Sequence, residues 1–229
     1  MSKNIKELEM MFDLKFKNYQ LLERALTHSS YANENGCLSN ERLEFIGDAV
    51  IDLIVGKFFY DNIPESEGIL TKKRAQEVCE DALYNYAKSF NLGDYLMLGK
   101  GEEQSGGREK PALLADAFEA FVGAIYVDSG LKEVYKVTEK VVFPVIINNL
   151  HKEDNDYKSK LQELLQSDKR SLKYEIISES GPPHDRVFVA RVYMDESIIM
   201  GEGKGKSKKE SEQNAAFATL QKLANNKEK

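Results

Sequence analysis

The sequence predicts two domains of different class, an all-α front domain and a small α+β domain of order α-β-β-β-α behind it. Three observations carry this. Residues 1 to about 150 show one helical apolar period after another. Residues 151–157 are polar and have no such period. After them the apolar residues become β-branched and aromatic, in short runs typical of strands.

In the front domain, helices are expected over "NYQLLERALTHSSYA", "ERLEFIGDAVIDLIVGKFFYDN", "GILTKKRAQEVCEDALYNYAKSF", "PALLADAFEAFVGAIYVDSG" and "LKEVYKVTEKVVFPVIINNL". Pro64, Gly68, Gly93, the stretch "GKGEEQSGGREKP" and Gly130 mark the breaks. Residues 1–150 form this domain, 151–157 a linker and 158–226 the second domain. There "SKLQELLQS" is a helix. "SLKYEIISES", "RVFVARVYM" and "SIIMGEG" are strands, and "SKKESEQNAAFATLQKLA" is a closing helix.

The net charge of −6 over 229 residues hides an asymmetry. Residues 152–229 carry 15 Lys+Arg against 14 Asp+Glu, whereas residues 1–151 carry 17 against 24. An acidic front half beside a near-neutral back half suggests two tasks. No run approaches the roughly 18 apolar residues of a membrane span, and the charged N-terminus lacks a signal-peptide apolar core, so a cytoplasmic protein is expected. Cys37 and Cys79 lie in no metal or redox motif and read as reduced thiols. Three histidines, His28, His151 and His184, are too few for a histidine-built zinc site.

In "NERLEFIGDAV" a helical turn of about 100° per residue puts Glu41, Glu44 and Asp48 on one narrow stripe. Leu43, Ile46, Val50, Leu53 and Ile54 fall on the opposite face. Acids outside and apolar residues inside also describe an ordinary solvated face. Two details favour more. The stripe has no cation, and like charges that close repel. Phe45 also sits on the acidic side, where a bulky aromatic suits cover by another chain. Asp52 is a further acid near this stripe with no evident role.

The helix over "PALLADAFEAFVGAIY" repeats the arrangement, with Asp116 and Glu119 on one stripe and the small Ala120 and Gly123 beside them. If the stripes face each other, Glu44, Asp48, Asp116 and Glu119 share a hollow that cannot stay ionised without a cation. An all-oxygen set suits Mg²⁺ or Mn²⁺, the ions of phosphodiester hydrolysis. Di-iron bundles instead need Glu-x-x-His, and neither helix carries a histidine.

In "GKGKSKKESEQNAA", Ser207 with Glu210 fits a capping box. Lys208 and Lys209 then lie in the first turn, behind Lys204 and Lys206. Cations there oppose the helix dipole and make sense beside a docked phosphate. Ser159, Gln162 and Gln166 make an uncharged polar stripe suited to an RNA minor groove. The loop "GPPHDR" presents His184.

These stretches resemble the ribonuclease III family. "ERLEFIGDAV" and "DAFEA" resemble its two acidic motifs; "DYKSKLQELLQ", "GPPHDRVF" and "GKGKSKKESEQNAA" resemble its C-terminal double-stranded-RNA-binding domain. The resemblance implies an all-α nuclease domain that homodimerises, followed by that RNA-binding domain. It implies Mg²⁺-dependent cleavage of both strands of duplex RNA, leaving 5′-phosphates, 3′-hydroxyls and short 3′ overhangs, in processing of ribosomal RNA precursors and some messengers.

By resemblance the metal ligands fall on Glu44, Asp48, Asp116 and Glu119, with Asp48 and Glu119 at the catalytic positions. Glu41 and Glu67 match secondary acids, Phe45 the aromatic that enters the partner subunit, and Gln162, Glu163, His184, Lys206, Lys208 and Lys209 the RNA contacts. The competing expectation is a dimeric double-stranded-RNA-binding protein without nuclease activity. Such a protein has no physical need for four uncompensated carboxylates.

Overall fold

The computed structural model describes residues 4–154, 156–166, 170–182, 185–195 and 197–227. Chain contacts divide it into two units, Met1–Ile146 and Ile147–Lys229. The first carries α1 (Lys6–Phe12), α2 (Tyr19–Ala25), α3 (Ser29–Asn35), α4 (Glu41–Asn62), α5 (Glu67–Glu77), α6 (Glu80–Ser89), α7 (Lys100–Gln104), α8 (Pro111–Ser129) and α9 (Leu131–Val137). α10 (Phe143–Asp154) starts in this unit and continues beyond it. The second unit holds α11 (Tyr157–Gln166), β1 (Leu172–Ser180), β2 (Val187–Met194), β3 (Ile198–Gly205) and α12 (Lys208–Lys227). This is the expected fold class, and among the described residues no helix is long and apolar enough to cross a membrane.

α8 is the axis of the first unit. Ala115, Ala117, Phe118, Ala120, Phe121, Val122 and Ala124 are buried along it, and it packs against α2, α4 and α6. Phe12, Phe90, Phe118, Phe121 and Tyr86 form the aromatic part of the core, with Phe12 edge-on to Phe90 at 5.0 Å between ring centres. Burying each such ring contributes about 2–3 kcal/mol.

The elements depart from expectation in five places, most of them with a local cause. "NYQLLERALTHSSYA" is two helices, because Nδ1 of His28 accepts the Ser30 N–H and caps α3 afresh. "GILTKKRAQEVCEDALYNYAKSF" is also two: Cys79 takes extended backbone, so α6 restarts at Glu80. α1 was not among the expected helices. The stretch after α9 widens into a π-turn over Thr138–Val142, where the Phe143 N–H donates to the Thr138 carbonyl. Pro144 follows; its ring has no N–H for the Lys140 carbonyl and crowds it. α10 then runs through Asp154, carrying helical backbone into the polar stretch expected to be a linker.

On α4, Leu43, Val50 and Ile54 are buried as expected and Ile46 is half-buried. Leu53 is not: it lies at the edge of the apolar arc and is 59% exposed. Phe45 is 80% exposed.

In the second unit three antiparallel strands run in the order β1-β2-β3, with Tyr174 opposite Val192 and Ala190 opposite Gly203. α11 and α12 lie together. Leu161, Leu165, Ala190, Val192, Ala215 and Ala216 form the core between helices and sheet. Asp156 fixes the start of α11, accepting from Ser159 Oγ (2.8 Å) and from Gln213 Nε2 of α12 (2.9 Å). Those bonds to the ionised form lower its pKa, the Gln213 bond most.

Candidate metal centre and RNA-contact surface

α4 and α8 cross with their backbones in contact. A Cβ on Gly47 would collide with the Glu119 carbonyl, and one on Gly123 with the Leu43 carbonyl. Leu43, Ala120 and Ala124 pack beside the crossing with Ala25. Only glycine at both positions permits this approach, and it turns the two acidic stripes toward one hollow.

The start of α4 is fixed from outside. Asn40 N–H donates to the Thr27 carbonyl (2.9 Å), and Arg24 Nε donates to the Ser39 carbonyl (2.8 Å). Glu41 and Glu44 occupy the first turn, where the helix dipole favours anions. Ser39 Oγ donates to Glu41 at 2.7 Å. On α8, Pro111 starts the helix and places Asp116 and Glu119 on the face opposite α4's acids.

Glu44, Asp116 and Glu119 each offer a carboxylate oxygen, and these oxygens lie within 4.8 Å of one another. All three side chains are half-buried. Burial, then Asp48, Glu44 and Asp116, push the Glu119 pKa up to about 8. Glu44 is raised by burial and then by Asp116, Glu41 and Asp48. Asp116 is raised by burial and then by Glu80, with His28 acting against them. Several carboxylates that resist ionisation together form the donor set that a hard divalent cation relieves, and their all-oxygen chemistry fits Mg²⁺ or Mn²⁺.

Not every expected acid joins this group. Asp48 is exposed and is the strongest charged neighbour of Glu119, but it is outside the three-residue cluster. Glu41 sits at the rim beside Glu44. Glu67 faces a separate groove lined by Asp52, Leu53, Tyr60 and Arg74, where its carboxylate accepts from Thr71 Oγ1 at 3.1 Å. Asp52 is not simply solvated: Arg74 Nε lies 3.2 Å from its Oδ1. Glu80 and His28 were missed as neighbours of Asp116. The signal for Glu80 was the helix break that makes it the first residue of α6.

In the second unit Gln162 and Glu163 are exposed on α11 and Lys206, Lys208 and Lys209 at the start of α12. Ser207 Oγ accepts the Glu210 N–H (3.1 Å), as a capping box requires, while the Glu210 carboxylate accepts from the Lys206 N–H (2.7 Å) rather than from Ser207. Lys208 and Lys209 are exposed in this first turn. Ser159 donates its hydroxyl to Asp156, the residue that caps α11, so that hydroxyl is engaged within the helix start. His184 and the Gln166 side chain lie outside the described residues.

Residues 18–146 match the family model "Ribonuclease-III-like", which covers the crossing of α4 and α8. A ribonuclease 3 of Bacillus cytotoxicus is 50% identical over 213 residues, 91% of this chain and 86% of that protein. The chain belongs to the ribonuclease III family. It is an endoribonuclease of that family with a double-stranded-RNA-binding motif over residues 157–223. A ribonuclease 3 of Bacillus cereus is 49% identical over the same share. The nuclease domain of ribonuclease III from Campylobacter jejuni superposes with a TM-score of 0.57 at 41% identity. That match covers 61% of this chain and 96% of that one, and its structure was described for flexibility in a region involved in dimer formation. The ribonuclease III unit of the present chain thus contains the carboxylate cluster, and its RNA-binding motif contains the lysine-rich start of α12.

Proposed function

We propose that this ribonuclease III acts as a cytoplasmic homodimer that hydrolyses both strands of duplex RNA with Mg²⁺, Mn²⁺ being able to substitute. It leaves 5′-phosphate and 3′-hydroxyl ends with short 3′ overhangs. Its substrates are ribosomal RNA precursors and some messengers. The observation that supports this best is the group Glu44, Asp116 and Glu119, with oxygens within 4.8 Å and Asp48 against Glu119.

Glu44, Asp48, Asp116 and Glu119 would hold the ion, and Glu41 and Glu67 serve as outer acids. A bound Mg²⁺ supplies charge neutralisation and activation of water for attack on the phosphodiester. Asp48 and Glu119 act nearest the reacting phosphate, and Glu119, which holds a proton near neutral pH without the ion, gives it up on loading. The acidic hollow repels RNA on its own. Gln162, Glu163, His184, Lys206, Lys208 and Lys209 therefore provide the affinity, by groove and phosphate contacts. Phe45, 80% exposed, is the residue that enters the partner subunit.

Incubation of end-labelled duplex RNA with and without Mg²⁺ tests this. Cleavage of the duplex with Mg²⁺, none in chelator, and an intact single strand are expected. A duplex that is bound yet stays whole with Mg²⁺ overturns the reading.

A further inference from the structure

α5 is attached to the rest of its unit in an unusual way. Its one buried residue is an acid, Glu77, whose carboxylate accepts from the buried Tyr86 hydroxyl at 2.8 Å. Leu70 is half-buried and Ile69 is 40% exposed, so apolar anchoring is slight. The last turn of the helix is also held by Arg74. Its stem lies over Gly56, where a Cβ would meet Arg74 Cδ at 3.4 Å, and its Nε reaches Asp52 at 3.2 Å. Asp52 is one turn beyond Asp48 on α4. The N-terminal half of α5 carries Glu67, whose carboxylate is tied to Thr71 of the same helix. Where Glu67 stands therefore depends on how α5 is set against α4.

We propose that Asp52, through Arg74, is a positioning residue that sets α5, and with it Glu67, relative to the acidic stripe of α4. This rests on the proposed function only for its effect on turnover. Both partners are about 40% exposed, and a pair that exposed adds little to global stability. It matters locally, because a helix with few buried apolar contacts opens at small cost.

Asp52→Ala and Asp52→Glu, each in the full chain, test the idea by three readouts. Amide hydrogen exchange over residues 67–77 is expected to quicken about fivefold in Asp52→Ala, with exchange in α8 unchanged. The kcat on duplex RNA falls about tenfold, through misplacement of Glu67, while KM and the melting temperature stay close to wild type. Asp52→Glu, which keeps the charge, restores both exchange and kcat. Wild-type exchange and turnover in Asp52→Ala overturn the proposal, as does a loss that Asp52→Glu fails to restore. If wild type does not cleave duplex RNA, the proposed function fails, and the exchange readout still decides the role of Asp52.

Discussion

Gly47 and Gly123 face each other where α4 crosses α8: a Cβ on Gly47 would lie 3.0 Å from the amide nitrogen of Gly123, besides colliding with the Glu119 carbonyl. The carboxylates of the two helices meet only because these residues have no side chains. Gly123→Ala or Gly47→Ala forces the helices apart and is expected to destabilise the chain by about 3 kcal/mol. Cleavage should fall further than the loss of folded protein explains. Urea titration and single-turnover cleavage check this.

The raised pKa of Glu119 makes the metal-free stability depend on pH. The carboxyl titrates near 4.5 unfolded and near 8 folded, so between these values the folded state binds the extra proton. Stability is therefore greatest at the acid end of this window and declines as pH rises from about 5 to 8, by about 2 kcal/mol once solvent screening is allowed for. Melting temperatures in chelator should follow that slope, and saturating Mg²⁺ should flatten it.

Glu119→Gln removes the titrating group and a metal ligand together. Cleavage is expected to disappear at ordinary Mg²⁺, and the pH slope in chelator to shrink. The Kd for duplex RNA, which depends on the other unit, should change less than about twofold. Normal turnover by this variant contradicts the assigned role.

Lys208 and Lys209 lie in the exposed first turn of α12. If both meet phosphates, the double change to alanine lowers the slope of log K against log salt by about 2 in magnitude and weakens binding to all duplexes alike. Filter binding at several salt concentrations measures it; an unchanged slope excludes these lysines from phosphate contact.

Phe45 leaves most of its ring in solvent within one chain. Phe45→Ala should shift a sedimentation-equilibrium dimer toward monomer, by at least about tenfold in Kd for an anchoring aromatic.

The acids of the site were legible because helical spacing alone puts Glu44 with Asp48 and Asp116 with Glu119, and the small residues near Glu119 announced a close backbone. What joins them is half visible in the sequence: Gly123 stands among the small residues beside Glu119, whereas no local pattern marks Gly47 on α4. Helix breaks at His28 and Cys79 were hidden, since apolar period continues through both and the cause is one side-chain cap or one extended residue. The second break also hid Glu80 beside Asp116. Leu53 reads as core by angle, but nothing in its own unit covers that edge of α4 fully, and it stays exposed. The ion pair of Asp52 with Arg74 joins residues 22 positions apart on two helices, which no local pattern reveals.

The hollow between α4 and α8 has the all-oxygen donor set of a divalent-ion site. Anomalous diffraction from a crystal soaked in Mn²⁺ tests it most directly. The expected result is a peak at coordination distance from oxygens of Glu44, Asp116 and Glu119, with Asp48 on the ion directly or through water. Well-ordered carboxylates turned away from one another, with no peak between them at millimolar Mn²⁺, would contradict it.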